Sequence, residues 1–163
     1  MSSYQLFGGT LVDPTQEFHH NLGHWIKRVD HAITLRTNAF LRPHGLARSQ
    51  WEVLFRIAAT EGVTQKSLQS AMQVESGTLT GIVDTLIKKG WITRTAHPQD
   101  RRVNLLQLTI EGRQRWRAVP NPITELRPRM MQGISAADEA WAVHILQQAV
   151  RNLDTSPAKE DES

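Results

Sequence analysis

Apolar residues recur every three or four positions near both ends of this chain, a spacing that predicts amphipathic helices. A first helix is predicted over residues 14–42, before Pro43 and Gly45 break the pattern. Its apolar positions are Phe18, Leu22, Trp25, Ile26, Val29, Ile33 and Phe40. A second helix is predicted over residues 48–60. Its apolar side is expected to comprise Trp51, Leu54, Phe55 and Ala58.

Two shorter helices with a brief connection are predicted in the middle of the chain. The first covers residues 65–72, with Thr64 as its N-cap. The second covers residues 75–90, where Gly90 supplies the stop signal. Its apolar positions lie on one face and are Leu79, Ile82, Val83, Leu86 and Ile87. Two such helices joined by a tight turn are typical of a helix-turn-helix.

The pattern then changes to that of short strands, over residues 91–95 and 103–108. The turn between them carries Arg101 and Arg102 at its tip, so the two strands form a hairpin arm. Guanidinium groups on such an arm are suited to grip phosphate or enter a DNA minor groove. Helix-turn-helix and hairpin together predict a winged helix-turn-helix, in a fold that is mainly α with a small β-hairpin wing.

Helical spacing returns in the last third of the chain. A helix over residues 109–118 is interrupted by prolines and is expected to resume over residues 123–131. The final helix runs from Ser135, which forms a capping box with Asp138, to about residue 153. Its apolar stripe comprises Trp141, Ile145, Ala149 and Leu153. Residues 155–163 are polar and acidic and are expected to form a disordered tail.

Two motifs in the predicted winged segment resemble those of the MarR family of bacterial transcription regulators. The family's wing signature, Asp-x-Arg, five residues, then Leu-Thr-x-x-Gly, matches Asp100-Arg101-Arg102 and Leu108-Thr109-Ile110-Glu111-Gly112. The recognition-helix pattern matches residues 76–80, followed by Leu86, residues 88–90 and Arg94. Two positions depart from it, because Gly81 and Thr85 stand where many members carry arginine. Base contacts at these two positions are therefore not implied.

The resemblance implies one MarR-like domain over residues 1–154. Its winged core covers about residues 46–113, between dimerisation helices over about residues 14–42 and 114–153. The implied homodimer presents two recognition helices to a pseudo-palindromic operator in double-stranded DNA, with half-sites roughly 34 Å apart. The alternative for the flanking helices is that they pack on their own core.

Each predicted DNA contact follows from side-chain chemistry and place in the motif. The N-terminal polar residues of the recognition helix, Ser76, Thr78 and Thr80, are expected to face base edges and phosphates. Lys66, Ser67 and Arg94 are expected to hold phosphates, and Arg101 or Arg102 to reach the minor groove. Asp100 is expected to orient an arginine, because a carboxylate near phosphate is repelled.

Charge and composition agree with this reading. Residues 42–117 hold twelve Lys or Arg against six Asp or Glu, a net charge of +6, whereas the rest holds seven against ten, or −3. A basic middle suits a DNA-binding lobe, although a solvated surface gives the same bias. The 163 residues contain no cysteine, which excludes a thiol switch, and no apolar run of membrane length or signal peptide. A cytoplasmic protein without a membrane partner is expected.

Family members usually respond to a small aromatic or phenolic anion. His24, Trp25 and Arg28 lie within one helical turn and are the predicted ligand-binding residues; alternatively, Trp25 is dimer core and Arg28 a solvated charge. His20 and His24 have a spacing that can hold a metal, but two imidazoles alone do not make a site, so no metal is predicted. A metal-responsive regulator stays the alternative.

An enzyme is not predicted. The sequence has no nucleophile elbow, phosphate-binding glycine loop or metalloprotease helix, and nothing indicates a cofactor. An architectural or protein-binding adaptor that uses the winged fold is a further alternative. Salt-dependent binding to a specific duplex would separate it from a regulator.

Overall fold

A computed structural model of the chain describes residues 6–7, 10–11, 21–60, 62–96 and 103–154, with only the backbone of residues 6–7 and 10–11. The elements in chain order are β1 (Leu6–Phe7), β2 (Thr10–Leu11), α1 (Leu22–Leu41), α2 (Arg48–Ala59), β3 (Val63–Thr64), α3 (Gln65–Met72), α4 (Ser76–Lys88), β4 (Ile92–Ala96), β5 (Asn104–Leu108), α5 (Ile110–Arg117), α6 (Pro122–Met130) and α7 (Ala136–Asp154). They divide into two compact units, residues 1–122 and 123–163.

Helix α1 starts later than the sequence predicts. Asn21 is extended and caps the helix, since its side-chain oxygen accepts a hydrogen bond from the backbone N–H of Gly23 at 2.7 Å. The predicted continuous helix through Asn21 is therefore wrong, and the predicted turns over residues 14–20 lie outside the described residues. A 3₁₀ turn follows α1, and Gly45 ends it with a φ of +70°.

The helix-turn-helix forms as predicted. Helix α3 covers residues 65–72 and is capped by Thr64, whose hydroxyl accepts from the backbone N–H of Ser67. Gln73 makes the tight turn in a left-handed conformation. Helix α4 ends at Lys88, and Gly90 has the positive φ of +73° that a C-terminal stop requires.

The wing is a three-stranded sheet in the order β3-β5-β4, with all pairs antiparallel. The hairpin of β4 and β5 was predicted, but β3 was not. Val63 pairs with Leu106, and Thr64 with Leu105, so β3 joins the base of the wing to the start of α3. A two-residue strand carries too few residues for an alternating pattern to be visible in the sequence.

The first unit has one apolar core, formed by α1–α4 and the sheet. Its most deeply buried side chains are Leu41, Leu54, Leu68, Leu79, Leu86, Ile92, Leu106, Val53 and Val83. One face of α2 differs from the prediction. Val53 and Ile57 join Trp51 and Leu54 in the core, whereas Phe55 and Ala58 are exposed.

The second unit contains most of α6 and all of α7, joined through a turn at Gly133. Arg127 donates two hydrogen bonds of 2.9 Å to the carboxylate of Glu139, which links the two helices. Ser135 caps α7 as predicted, because its hydroxyl accepts from the backbone N–H of Asp138. No residue of α7 is buried, and its apolar residues Trp141 and Leu153 are exposed.

Candidate nucleic-acid interface

Helices α3 and α4 expose the side chains that the sequence assigns to DNA. Lys66 and Ser67 are exposed at the start of α3, and Ser76 and Thr78 at the start of α4, whereas Thr80 is half-buried. The opposite face of α4 is fixed in the core through Leu79, Val83 and Leu86. A rigid helix with an exposed polar N-terminal turn is the arrangement that enters a major groove.

Ser67 already serves the fold. Its hydroxyl donates to the carbonyl of Thr64 at 2.8 Å and accepts from the backbone N–H of Thr64 at 3.0 Å, while the Thr64 hydroxyl accepts from the N–H of Ser67. This reciprocal pair is a capping box that orders the first turn of α3. The Ser67 side chain therefore stabilises the N-terminal end of α3, independently of any contact with phosphate.

Thr80 is held between the two helices of the motif. Its hydroxyl donates to the carbonyl of Ser76, four residues earlier in α4, at 2.9 Å. It accepts a hydrogen bond of 2.8 Å from Nε2 of Gln65, the first residue of α3. The Gln65–Thr80 contact thus fixes the angle between the two helices at the predicted DNA-facing end.

Arg94 connects the wing to the recognition helix. From strand β4 its Nη2 donates to Oδ1 of Asp84 on α4 at 2.8 Å and contacts Oε1 of Gln65 at 3.5 Å. Both members of the ion pair are partly exposed, with 36% of the Arg94 side chain and 45% of the Asp84 side chain accessible. The guanidinium lies at the junction of β4, α3 and α4.

The Leu-Thr-x-x-Gly motif locks the base of the wing. The N–H of Thr109 donates to the carbonyl of Trp91, and its hydroxyl donates to the carbonyl of Gly90 at 2.6 Å and accepts from the N–H of Gly112 at 2.8 Å. Any side chain at Gly112 would overlap with the backbone of Trp91. The motif therefore joins β5 and α5 to the segment that ends the recognition helix.

The wing tip lies outside the described residues. This applies to three predicted DNA contacts, Asp100, Arg101 and Arg102. Strands β4 and β5 that carry this tip pair in register from Ile92 opposite Leu108 to Ala96 opposite Asn104.

The predicted ligand-binding residues contact one another on α1. The guanidinium of Arg28 lies 5.0 Å from the ring centroid of Trp25, and the ring of His24 meets Trp25 edge-on at 5.9 Å. Trp25 is 50% exposed. The cation–π contact brings the three residues together on an exposed face of α1.

An aromatic cavity lies between α2 and the segment from α5 to residue 121. It is open to solvent, has a volume of about 420 Å³ and is lined by Trp51, Phe55, Ala58, Ala59, Trp116, Arg117, Val119 and Asn121. The rings of Trp51 and Phe55 stack at 5.1 Å, and Trp116 lies 5.9 Å from Trp51. Trp51 is 94% buried, and its indole Nε1 has no hydrogen-bond partner within the described part of the chain.

Neither a metal cluster nor a membrane span is found in the part of the chain that the structure describes. No three His, Asp or Glu side chains lie together there as metal ligands. His20, the predicted companion of His24, is outside that part. None of the described helices is both long and apolar enough to cross a bilayer.

Residues 46–103 match the family described as the MarR family. This segment begins just before α2 and ends just before β5. The winged core of this chain belongs to the MarR family. This assignment confirms the resemblance of the two motifs and the winged-helix fold. MarR-family proteins are DNA-binding transcription regulators and not enzymes, and this chain is a transcription regulator of that kind.

Relatives and solved structures extend the family likeness. The multiple antibiotic resistance protein MarR of Escherichia coli strain K12 is 33% identical over 91 residues, which are 56% of this chain and 63% of that protein. The alignment thus spans less than two thirds of that relative. The crystal structure of a mutant E. coli MarR complexed with operator DNA superposes with a TM-score of 0.75 at 26% identity, covering 85% of this chain and 99% of that one.

A second MarR-family structure is a complex with a small molecule. CouR from Rhodococcus jostii RHA1, bound to p-coumaroyl-CoA, superposes with a TM-score of 0.69 at 25% identity. The match covers 88% of this chain and 98% of that chain.

Two residues of the interface were missed by the sequence reasoning. Gln65 and Asp84 both contact Arg94, although they come from different helices and neither belongs to the predicted contact set. The sequence did contain one signal for Asp84. It is an acidic residue on a helix expected to face phosphates, and because a carboxylate is repelled by phosphate, such a residue is expected to pair with a cation.

Proposed function

We propose that this regulator is a homodimeric repressor that binds a pseudo-palindromic operator and is released by a small aromatic or phenolic ligand. The observation that carries the DNA-binding part is the recognition surface itself. Exposed Ser76 and Thr78 open a helix whose other face is fixed in the core, beside the guanidinium of Arg94. This combination provides base-reading groups and a phosphate contact on one rigid surface.

The assignment of individual DNA contacts belongs to this proposal. Ser76, Thr78 and Thr80 face base edges in the major groove, with the Thr80 hydroxyl already engaged by Gln65. The phosphate contacts are Lys66, Ser67 and Arg94. At the wing tip, Arg101 or Arg102 reaches the minor groove, and Asp100 orients an arginine.

Dimerisation is supported by apolar side chains that the single chain leaves exposed. On α1 these are Leu22, Trp25, Ile26 and Val29, each 46–50% exposed. On α7, Trp141 is 66% exposed and Leu153 85%. Long amphipathic helices with uncovered stripes need a partner to bury them. We therefore include residues 14–42 and 114–153 as dimerisation helices flanking the core of residues 46–113, in one functional domain over residues 1–154.

The aromatic cavity beside Trp51 supports control by a ligand. Its volume is within the range of small-molecule sites, and its walls are mostly aromatic and aliphatic. The exposed Arg117 on the cavity wall can pair with a carboxylate or phenolate of the ligand. A second proposed ligand site is the predicted set on α1, His24, Trp25 and Arg28.

Selection from a randomised duplex library tests the DNA-binding proposal. The wild-type protein should enrich one family of sequences with two-fold symmetry, and its affinity for them should fall steeply with salt. A footprint without two-fold symmetry would contradict the docking of a dimer. Salt-independent binding with no enriched sequence would favour the adaptor alternative.

Titration with aromatic carboxylates such as salicylate tests the ligand proposal. Binding should change tryptophan fluorescence and release the selected duplex. Arg117→Ala should weaken this response, whereas Arg113→Ala, a neighbouring exposed arginine of α5 away from the cavity walls, should not. A response lost only in Arg28→Ala would assign the ligand to α1, and a response to zinc reversed by a chelator would replace the organic ligand with a metal.

A further inference from the structure

Four side chains form a continuous chain of hydrogen bonds across the DNA-facing end of the first unit. Arg94 donates to Asp84 at 2.8 Å and contacts Gln65 at 3.5 Å. Gln65 donates to Thr80 at 2.8 Å, and Thr80 donates to the carbonyl of Ser76 at 2.9 Å. These hydrogen bonds connect β4, α3 and α4.

The direction of these hydrogen bonds is fixed by chemistry. A guanidinium has only donors, so the end of the Gln65 amide that faces Arg94 must be the oxygen. The NH₂ group then faces Thr80, whose hydroxyl must accept. The single proton of that hydroxyl is consequently given to the Ser76 carbonyl. Thr80 keeps one lone pair and its methyl group for a base, and cannot donate.

We propose that Asp84 and Gln65 are positioning residues for DNA recognition. Asp84 holds the Arg94 guanidinium against the recognition helix, and Gln65, oriented by Arg94, fixes Thr80 as a hydrogen-bond acceptor. The inference rests on the proposed function, in which Arg94 meets phosphate and Thr80 meets a base. The acceptor and the methyl group suit an amino group or a thymine methyl in the major groove.

Stability alone does not account for Asp84. A pair this exposed contributes little to folding, because solvent screens its charges and ordering two side chains costs entropy. A carboxylate on a helix that approaches phosphates also opposes binding to any DNA. What the pair does provide is a fixed place for Arg94. Its contacts within the described residues use Nη2 alone, which leaves other N–H groups of the fork for a phosphate.

The test compares Asp84→Asn with Glu75→Gln. Glu75 precedes the same helix, is exposed and makes no capping hydrogen bond, so its replacement removes the same charge without removing an ion pair. Both variants should bind an unrelated duplex more tightly than wild type. The specificity ratio is the affinity for the selected duplex divided by the affinity for the unrelated duplex. Asp84→Asn should lower this ratio about three- to tenfold more than Glu75→Gln does. Equal ratios in the two variants would overturn the role of Asp84.

Gln65→Met, with Gln69→Met as its control on the same helix, tests the second half independently. Selection from the randomised library should show relaxed preference at one base pair per half-site in Gln65→Met, at the same base pair that Thr80→Val alters. An unchanged preference in Gln65→Met would overturn the role of Gln65. If the wild-type protein enriches no sequence, both the proposed function and this inference are wrong. If the wild-type protein enriches a motif and all variants enrich the same motif with the same preference, only this inference is wrong.

Discussion

The winged core and the flanking helices bury their apolar residues to opposite extents. In the winged core, Leu54, Leu79 and Leu86 are completely inaccessible to solvent. In α7 of the second unit, Trp141 and Leu153 are 66% and 85% exposed, although the helix has a regular apolar stripe. The same helical spacing of apolar residues therefore corresponds to buried side chains in the winged core and to exposed side chains in α7. The core completes its packing within one chain, whereas the flanking helices leave apolar side chains exposed, and we propose that association buries them.

Helix α1 is buried at one end and exposed at the other. Its C-terminal end belongs to the core, where Thr37 and Leu41 are buried. Its N-terminal end carries Leu22 and Trp25, which are about half exposed. The helix is tied to α2 midway, because Arg48 pairs with Asp30 at 2.8 Å. A displacement of the exposed end can thus reach the core through one continuous helix.

Replacing a core leucine should have the largest effect. Leu54→Ala removes a fully buried side chain and should lower the free energy of unfolding by about 3 kcal/mol. Trp141→Ala should instead weaken association, by about 2 kcal/mol if Trp141 is an anchor of the interface. Urea denaturation at several protein concentrations separates the two, because only the association defect depends on concentration. A concentration-independent loss in Trp141→Ala would contradict the contrast.

A pair of glycine substitutions sharpens the description of the core. Gly112→Ala should lower the free energy of unfolding by about 2–3 kcal/mol, because the new methyl group overlaps with the Trp91 backbone. Gly81→Ala should raise it by about 0.5–1 kcal/mol, since its methyl group meets nothing and helix propensity improves. Thermal melting of both variants is the measurement. An unchanged or raised melting temperature in Gly112→Ala would show that the packing against Trp91 does not constrain this position.

Substitution of the two wing arginines tests DNA binding. Arg102→Ala should weaken binding to the selected duplex by about 1–3 kcal/mol, with a larger loss where A·T-rich flanks narrow the minor groove. The melting temperature should stay at the wild-type value. Fluorescence anisotropy on the labelled duplex measures the loss. Unchanged affinity in both Arg101→Ala and Arg102→Ala would remove the wing from the interface.

The smallest expected effect separates phosphate contacts from base contacts. Lys66 is exposed at the start of α3, where a cation reaches phosphate without reading sequence. Lys66→Ala should reduce affinity for all duplexes alike and lower the slope of affinity against salt by about one unit. The salt series is measured on the selected and an unrelated duplex. A loss confined to the selected duplex would instead make Lys66 a base-reading residue.

Sequence periodicity predicted the helix-turn-helix well, because its signals are local. The Thr64 cap, the apolar face of α4 and the stop at Gly90 each depend on residues within a few positions. The wing hairpin followed from a change of period. By contrast, β3 depends on pairing with Leu105 and Leu106, some forty residues away in sequence, which no local pattern contains.

The contacts within the interface were less predictable for the same reason. The sequence identified Arg94 and Thr80 as polar residues on elements predicted to face DNA. It did not identify their partners, because Asp84 pairs with Arg94 from another element and Gln65 pairs with Thr80 from another helix. The face of α2 was misassigned because Phe55 is apolar yet lines an open cavity, and apolar character alone does not distinguish a cavity wall from a core.

The paired ends of β4 and β5 bear on how such a protein diversifies. Ala96 lies opposite Asn104, and everything below that pair is held by sheet hydrogen bonds and by Thr109. These hydrogen bonds do not involve the segment between Ala96 and Asn104, so we expect substitutions there to change the choice of DNA more than the stability of the fold. Grafting the corresponding segment of another family member between Ala96 and Asn104 should transfer its groove preference while the scaffold remains that of this chain.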